Sequence, residues 1–172
     1  MVPQQAYVLD GTVYDNITLR EIGITREMVE RAVRIVGLHD DIMLLPNGYD
    51  TPLGEGETQL SFGQSQLLCL ARAIVADPAV LLLDELTAGM DMLTERRILD
   101  VLRNISKGRT ILTISHRISG IIDADEVHIL NGGHLVESGN IDTLMQQEGW
   151  YAMMLRLEEM DWENTRTGSD FS

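Results

Sequence analysis

The sequence is short of several features that would fix its class outright. It has a single cysteine, Cys69, so no internal disulfide can form, and the thiol usage fits a reducing compartment. Lys and Arg number 13 against 27 Asp and Glu, a formal net charge of −14. That balance argues against nucleic acid as a bulk partner, because phosphate-backbone binding rests on clustered Lys and Arg. It does not exclude a nucleotide, whose phosphates local backbone amides hold. No apolar run approaches the roughly 20 residues that span a bilayer, and Met1-Val2-Pro3 does not open a signal peptide. There is no internal repeat, no low-complexity tract and no Gly-x-x-x-x-Gly-Lys-Ser/Thr loop to cradle α- and β-phosphates. What remains is one domain's length, 172 residues with an ordinary 44% hydrophobic content.

The pattern centres on Leu60-Ser61-Phe62-Gly63-Gln64. Ser61 and Gln64 have the S-x-x-Q spacing of a capping box, in which two side chains satisfy orphan amides of a first helical turn. Behind them Leu67, Leu68, Leu70, Ala71, Ile74 and Val75 recur at helical spacing, Cys69 lies on the apolar side, and Asp77-Pro78 stops the run. Val80-Leu81-Leu82-Leu83 then reads as a strand buried on both faces, ending in the carboxylates Asp84 and Glu85. In open α/β sheets, ligands sit at that end of the strands.

Asp91 reads as the N-cap of an amphipathic helix over Thr94 to Ile105, with Ile98, Leu99, Val101, Leu102 and Ile105 inward. Lys107-Gly108-Arg109 turns the chain into a second short strand, Thr110 to Ile114, followed by Ser115-His116-Arg117. This is a β-α-β unit, which places both strand ends at one edge. Upstream, Thr25 caps a helix from Arg26 to Val36 with Met28, Val29, Ala32, Val33 and Val36 as its buried stripe and Gly37 at C′. A short helix over His39 to Leu45 precedes the turn residues Pro46-Asn47-Gly48 and a Gly-rich loop from Tyr49 to Glu57. Downstream, Glu126 to Leu130 and His134 to Glu137 flank Asn131-Gly132-Gly133 as a hairpin, with His128 and His134 structural or surface residues. Ile141 to Gln147 and Trp150 to Leu157 make closing helices, with Met153, Met154 and Leu157 packing inward. Taken singly these features have plain readings: a cap, a strand entering a turn, an exposed terminal Gln4, a surface His116.

Together, in this order and spacing, they resemble the ABC-transporter ATPase, whose signature Leu-Ser-Gly-Gly-Gln precedes its Walker B strand and D-loop. The resemblance spans about residues 1 to 160. It implies an α/β fold: the P-loop NTPase (RecA-like) core of an ABC ATPase, incomplete, with a helical subdomain and C-terminal helices. The implied division is a Q-loop segment at 1–14, a helical signature subdomain at 15–76, the rest of the core at 77–163 and a disordered tail at 164–172. Gly11-Thr12-Val13, Glu55 in the X-loop and Ser115-His116-Arg117 are similar to the exporter type.

The resemblance also implies roles, with ATP and Mg2+ as ligands. Gln4 is the Q-loop glutamine, a magnesium ligand that senses the γ-phosphate. Asp84 holds magnesium, Glu85 is the general base and His116 the switch histidine. Ser61, Gly63 and Gln64 serve a nucleotide bound by a second nucleotide-binding domain in a head-to-tail dimer, and Asp91 crosses to that partner. The transmembrane domains of a transporter are the other partner, which places the chain at the cytoplasmic face of a membrane. The sequence departs from the pattern at Phe62, where a glycine is usual, at Gly56, where arginine is usual, and through much of Thr87-Ala88-Gly89-Met90-Asp91. In the family the P-loop and the adenine-stacking tyrosine precede the Q-loop, and this sequence contains neither. The expected consequence is a chain inactive by itself, with a gap in its sheet where the P-loop strand would lie. Two other readings are a truncated, non-catalytic module that binds membrane domains or a dimer partner, and a DNA-repair or chromosome-maintenance ABC ATPase. The second wants long heptads and a basic face, which are missing.

Overall fold

The computed structural model describes residues 1–54, 56–121 and 123–167. The chain forms two compact units, one from Met1 to Ile114 and one beginning at Ser115.

In the first unit, β1 (Gly11–Thr12) pairs antiparallel with β2 (Pro52–Leu53), and between them lie three short helices. The first, α1 (Val13–Thr18), opens on a capping box in which Thr12 Oγ1 accepts from Asp15 N and Asp15 Oδ2 accepts from Thr12 N. Next, α2 (Arg26–Ile35) starts where the sequence places it, with Thr25 Oγ1 accepting from Met28 N at 3.3 Å. After it come α3 (His39–Met43) and a single 3-10 turn, Gly48–Asp50. The central helix, α4 (Phe62–Ile74), packs against both α1 and α2. Leu67, Leu68, Leu70 and Ala71 of α4 are buried, and around them lie Val13, Ile17, Val29, Val33, Val36 and Leu38.

The remainder of the first unit is a β-α-β unit: β3 (Val80–Asp84), α5 (Met92–Ile105) and β4 (Thr110–Ile114). β3 and β4 pair in parallel, from Val80 opposite Thr110 to Asp84 opposite Ile114. Leu81 and Leu83 join the core, with Ile98, Val101 and Ile105 of α5 in the same cluster. The strand expected to be buried on both faces is buried on one. Val80 and Leu82 are 55% and 42% exposed, and Leu112 and Ile114 beside them are 57% and 56% exposed. The reason is geometric: side chains alternate across a strand, and the core lies on the Leu81–Leu83 side.

The second unit holds the expected hairpin. β5 (Val127–Asn131) and β6 (His134–Gly139) join through Gly132 and Gly133, both at positive φ, as a two-residue turn matching strand twist requires. The register slips between Ile129 and Leu130, which pair with Glu137 and Leu135 and leave Val136 as a bulge. Asn140 caps α6 (Ile141–Gln147), and α7 (Trp150–Thr167) follows. The expected inward set on α7 needs correction: Met153 and Leu157 are 46% and 49% exposed, and only Met154 of the three packs. Glu137 fixes the helix's rotation by accepting from Trp150 N and from Tyr151 N. That turns Tyr151 and Ala152 inward, where they are fully buried, with Met154 and Leu155 a turn further on. α7 also runs well past Leu157, to Thr167; the end of the sequence, 168–172, lies outside the described residues.

Because α4 holds the first unit together, Leu68→Ala should lower its stability by about 2–5 kcal/mol, whereas Leu93→Ala, at an 80% exposed position, should leave it nearly unchanged. Urea denaturation followed by circular dichroism checks both.

Candidate functional site

The chain begins alongside β3. Val2 is fully buried and makes a one-residue parallel bridge: its N–H donates to Leu82 O at 2.8 Å, and its carbonyl accepts from Asp84 N at 3.0 Å. This brings Gln4 to the carboxyl end of the strand, where its Nε2 donates to Glu85 Oε2 at 2.5 Å. Glu85 itself has φ +46°, the left-handed region that costs a non-glycine residue about 1–2 kcal/mol. Its N–H still donates to Ile114 O at 2.9 Å, so the ladder runs one residue past Asp84, and then the chain turns through Ala88 N to Glu85 O. Strain of this kind persists only where the surroundings over-determine it, and it gathers at functional sites. Asp84, the last residue of β3, is half-buried.

A second group forms at two helix N-termini. The capping box read from the sequence is present: Ser61 Oγ accepts from Gln64 N at 3.2 Å, and Gln64 Oε1 accepts from Ser61 N at 3.0 Å. Asp91 caps α5, accepting from Leu93 N, Thr94 N and Thr94 Oγ1. Gly63 joins the two caps, since a Cβ there would sit 2.7 Å from Thr94 Cγ2. The close approach that demands glycine at this position is therefore to the first turn of α5. Phe62, the departure from pattern, is 50% exposed on the first turn of α4.

His116 is exposed and belongs to the second unit. Glu55 lies outside the described residues. Gly56, beside it, takes a positive φ of 83° that arginine would adopt only with strain.

Sequence reasoning missed the residues that hold the Gln4 segment down. Gln66, wholly buried in α4, donates from Nε2 to Gln4 O at 2.8 Å. Two further side chains on the same stripe reach Tyr7 O: Cys69 Sγ at 3.8 Å and Arg72 Nη2 at 3.1 Å. Arg72 Nε also donates to Asn16 O at 2.7 Å, while Asn16 exchanges hydrogen bonds with the backbone of Leu9. The readable signal was hydrogen-bonding side chains spaced three apart (66, 69, 72) on an otherwise apolar helix. Burial pushes the Cys69 thiol above its ordinary range, so it is a packed group and not a reactive one.

The first unit thus presents a parallel strand ending at Asp84, a following Glu85 whose carboxylate accepts from Gln4, and two capped helices whose first turns meet at Gly63 and Thr94. The family model described as "ABC transporter" matches residues 1–88, and the chain belongs to that family. It is 38% identical over 161 residues to the multidrug resistance-like ATP-binding protein MdlA of Escherichia coli K12, covering 94% of this chain and 27% of MdlA. It is 42% identical over 149 residues to the mitochondrial iron-sulfur clusters transporter ABCB7 of Danio rerio, covering 87% of this chain and 20% of the relative. A solved structure of a bacterial Atm1-family ABC exporter with ATP bound superimposes with a TM-score of 0.81 at 37% identity, over 91% of this chain and 27% of that one. The chain thus has the fold of an ABC ATPase domain and spans about a fifth to a quarter of the length of these relatives.

The cap at Asp91 carries a pH signature. Hydrogen bonds from the Thr94 side chain and backbone hold its carboxyl below the usual carboxylate range. A depressed folded pKa gives stability that is present above the unfolded value of about 4 and is lost as pH falls through the folded value. Asp91→Asn keeps a capping oxygen but not the charge. The stability difference between wild type and Asp91→Asn, read from urea midpoints, should be largest near neutrality and shrink towards zero below the carboxylate range.

Proposed function

We propose that the chain is the signature-and-Walker B portion of an exporter's ATP-hydrolysing domain, coupling ATP hydrolysis to movement of cargo across a membrane. The observation that carries this reading is Glu85, held at a left-handed φ directly behind Asp84 with Gln4 bound to its carboxylate, in a chain of this family. The residues present fit the implied ligands. Asp84, at the carboxyl end of β3, and Gln4, whose Nε2 is engaged by Glu85 and whose Oε1 is an acceptor, are oxygen donors of the kind Mg2+ takes when one or two protein oxygens and phosphate oxygens hold it, and they would supply the protein's share. When bound, the ion neutralises charge on the phosphates.

Glu85 acts as general base. It takes a proton from water as the water oxygen bonds to the γ-phosphorus and the bond to the leaving ADP oxygen breaks. Gln4's amide holds Oε2 and so fixes the plane of the carboxylate. His116 takes the switch role, contacting the γ-phosphate. Ser61 and Gly63 serve the nucleotide of a second ATPase domain: the capping box occupies the amides of Ser61 and Gln64, and the amides of Phe62 and Gly63 lie at the positive end of α4's dipole. Gln64 supports that turn through the cap, and Asp91 contributes from the adjoining first turn of α5. A head-to-tail second ATPase domain and membrane-spanning domains are the partners, at the cytoplasmic face of a membrane. Cargo is selected elsewhere, because relatives of similar identity are named for unlike cargoes, iron-sulfur clusters and a sophorolipid among them.

The test is a chimera in which this chain replaces the matching segment of MdlA. Phosphate release with Mg-ATP should be retained and should fall by roughly 100-fold or more in Glu85→Gln, with ATP still bound. A folded chimera that binds ATP and releases no phosphate would sink the catalytic reading in favour of a non-catalytic interaction module.

A further inference from the structure

Gln66 is hard to explain as packing. Its neighbours Leu67, Leu68 and Leu70 are apolar and buried, its own side chain is wholly buried, and its Oε1 has no hydrogen-bond partner among the described residues. A methionine would fill much the same volume on the helix without an unsatisfied oxygen, and burying such a group is unfavourable. What the Gln66 side chain does have, among the described residues, is a hydrogen bond from Nε2 to the carbonyl of Gln4, 62 residues away in sequence.

Gln4 sits in a stretch with no helix or ladder of its own, so its direction depends on its tethers. On one side Val2 is locked to β3 by two backbone hydrogen bonds. On the other, Tyr7 O is held by Arg72 and Cys69. Between them, among the described residues, it is Gln66 that grips Gln4's own peptide, and a rotation of that peptide would swing the Gln4 amide off Glu85.

We infer that Gln66 is a positioning residue: from α4 it fixes the Gln4 peptide, aims the Gln4 amide at Glu85, and so ties the helix that begins at Ser61 to the carboxylate at the end of β3. This role as regards catalysis rests on Glu85 being the general base; the link itself does not.

The measurement is nuclear magnetic resonance of side-chain amides in the full 172-residue chain, labelled at glutamine nitrogen. In the wild type, the amide hydrogens of both Gln66 and Gln4 should exchange slowly. In Gln66→Met the chain should stay folded, with an equal or higher urea midpoint, while exchange at the Gln4 amide rises about tenfold, as expected for the loss of one net hydrogen bond. Glu85→Ala should free the Gln4 amide but leave that of Gln66 protected, which gives the link its direction. Unchanged Gln4 exchange in Gln66→Met overturns the inference. So does solvent-rate exchange of the Gln66 amide in the wild type, a result that needs no variant to fold. In the MdlA chimera, Gln66→Met should lower kcat with KM for ATP unchanged. A chimera without phosphate release removes the catalytic reading and leaves the resonance result to decide the link.

Discussion

Everything in the first unit depends on burying α4. Its apolar residues form the wall against which α1 and α2 pack, in one cluster with Leu81 and Leu83 of β3. At roughly 25 cal/mol per Å2 of apolar surface removed from water, a helix buried along this much of its length outweighs any single polar contact around it. The polar contacts that do occur on α4 therefore do a different job. Ser61 and Gln64 fix where the helix starts, and Gln66, Cys69 and Arg72 fix what lies alongside it. Burial sets that the helix forms, and the hydrogen bonds set its register against an extended segment that has no ladder of its own.

Much of this was legible in the sequence because it is local. Capping at Thr25, Ser61 and Asp91 needs only a short side chain in an extended conformation ahead of a helical run, and all three appear as read. The Gly132-Gly133 turn follows from the same kind of rule. Local rules failed where a distant residue chooses the face. Four consecutive apolar residues in β3 cannot say how many of its faces are covered, and the alternating exposure of Val80 and Leu82 against Leu81 and Leu83 depends on which elements reach it. On α7 both a Met153–Leu157 stripe and a Tyr151–Met154 stripe have helical spacing, and Glu137, on another element, selects the second.

The site was legible residue by residue but not as contacts. Asp84, Glu85 and Gln4 stand out by motif, yet nothing in their spacing shows that Gln4's amide meets Glu85's carboxylate, because that meeting is arranged by Val2 entering beside β3. The left-handed backbone at Glu85 was equally invisible: glutamate has no preference for that region, so only the turn into Leu86 reveals it.

The two readings of Ser61 and Asp91, cap or ligand, are not alternatives on this structure. A capping side chain uses acceptor lone pairs, and it does so to take up amides of its own first turn. Ser61 keeps a hydroxyl hydrogen to donate while Oγ accepts from Gln64 N, so capping organises the turn without using up what a phosphate would need. Gly63 adds the constraint that binds the two turns together, since Thr94 fills the space a side chain would take, and Thr94 in turn donates to Asp91. The substitution at Phe62 is tolerable because that side chain is half exposed and takes no part in the capping box. The pattern therefore permits change at Phe62 and resists it at Ser61, Gly63 and Asp91, on packing and hydrogen bonding alone and before any nucleotide is considered.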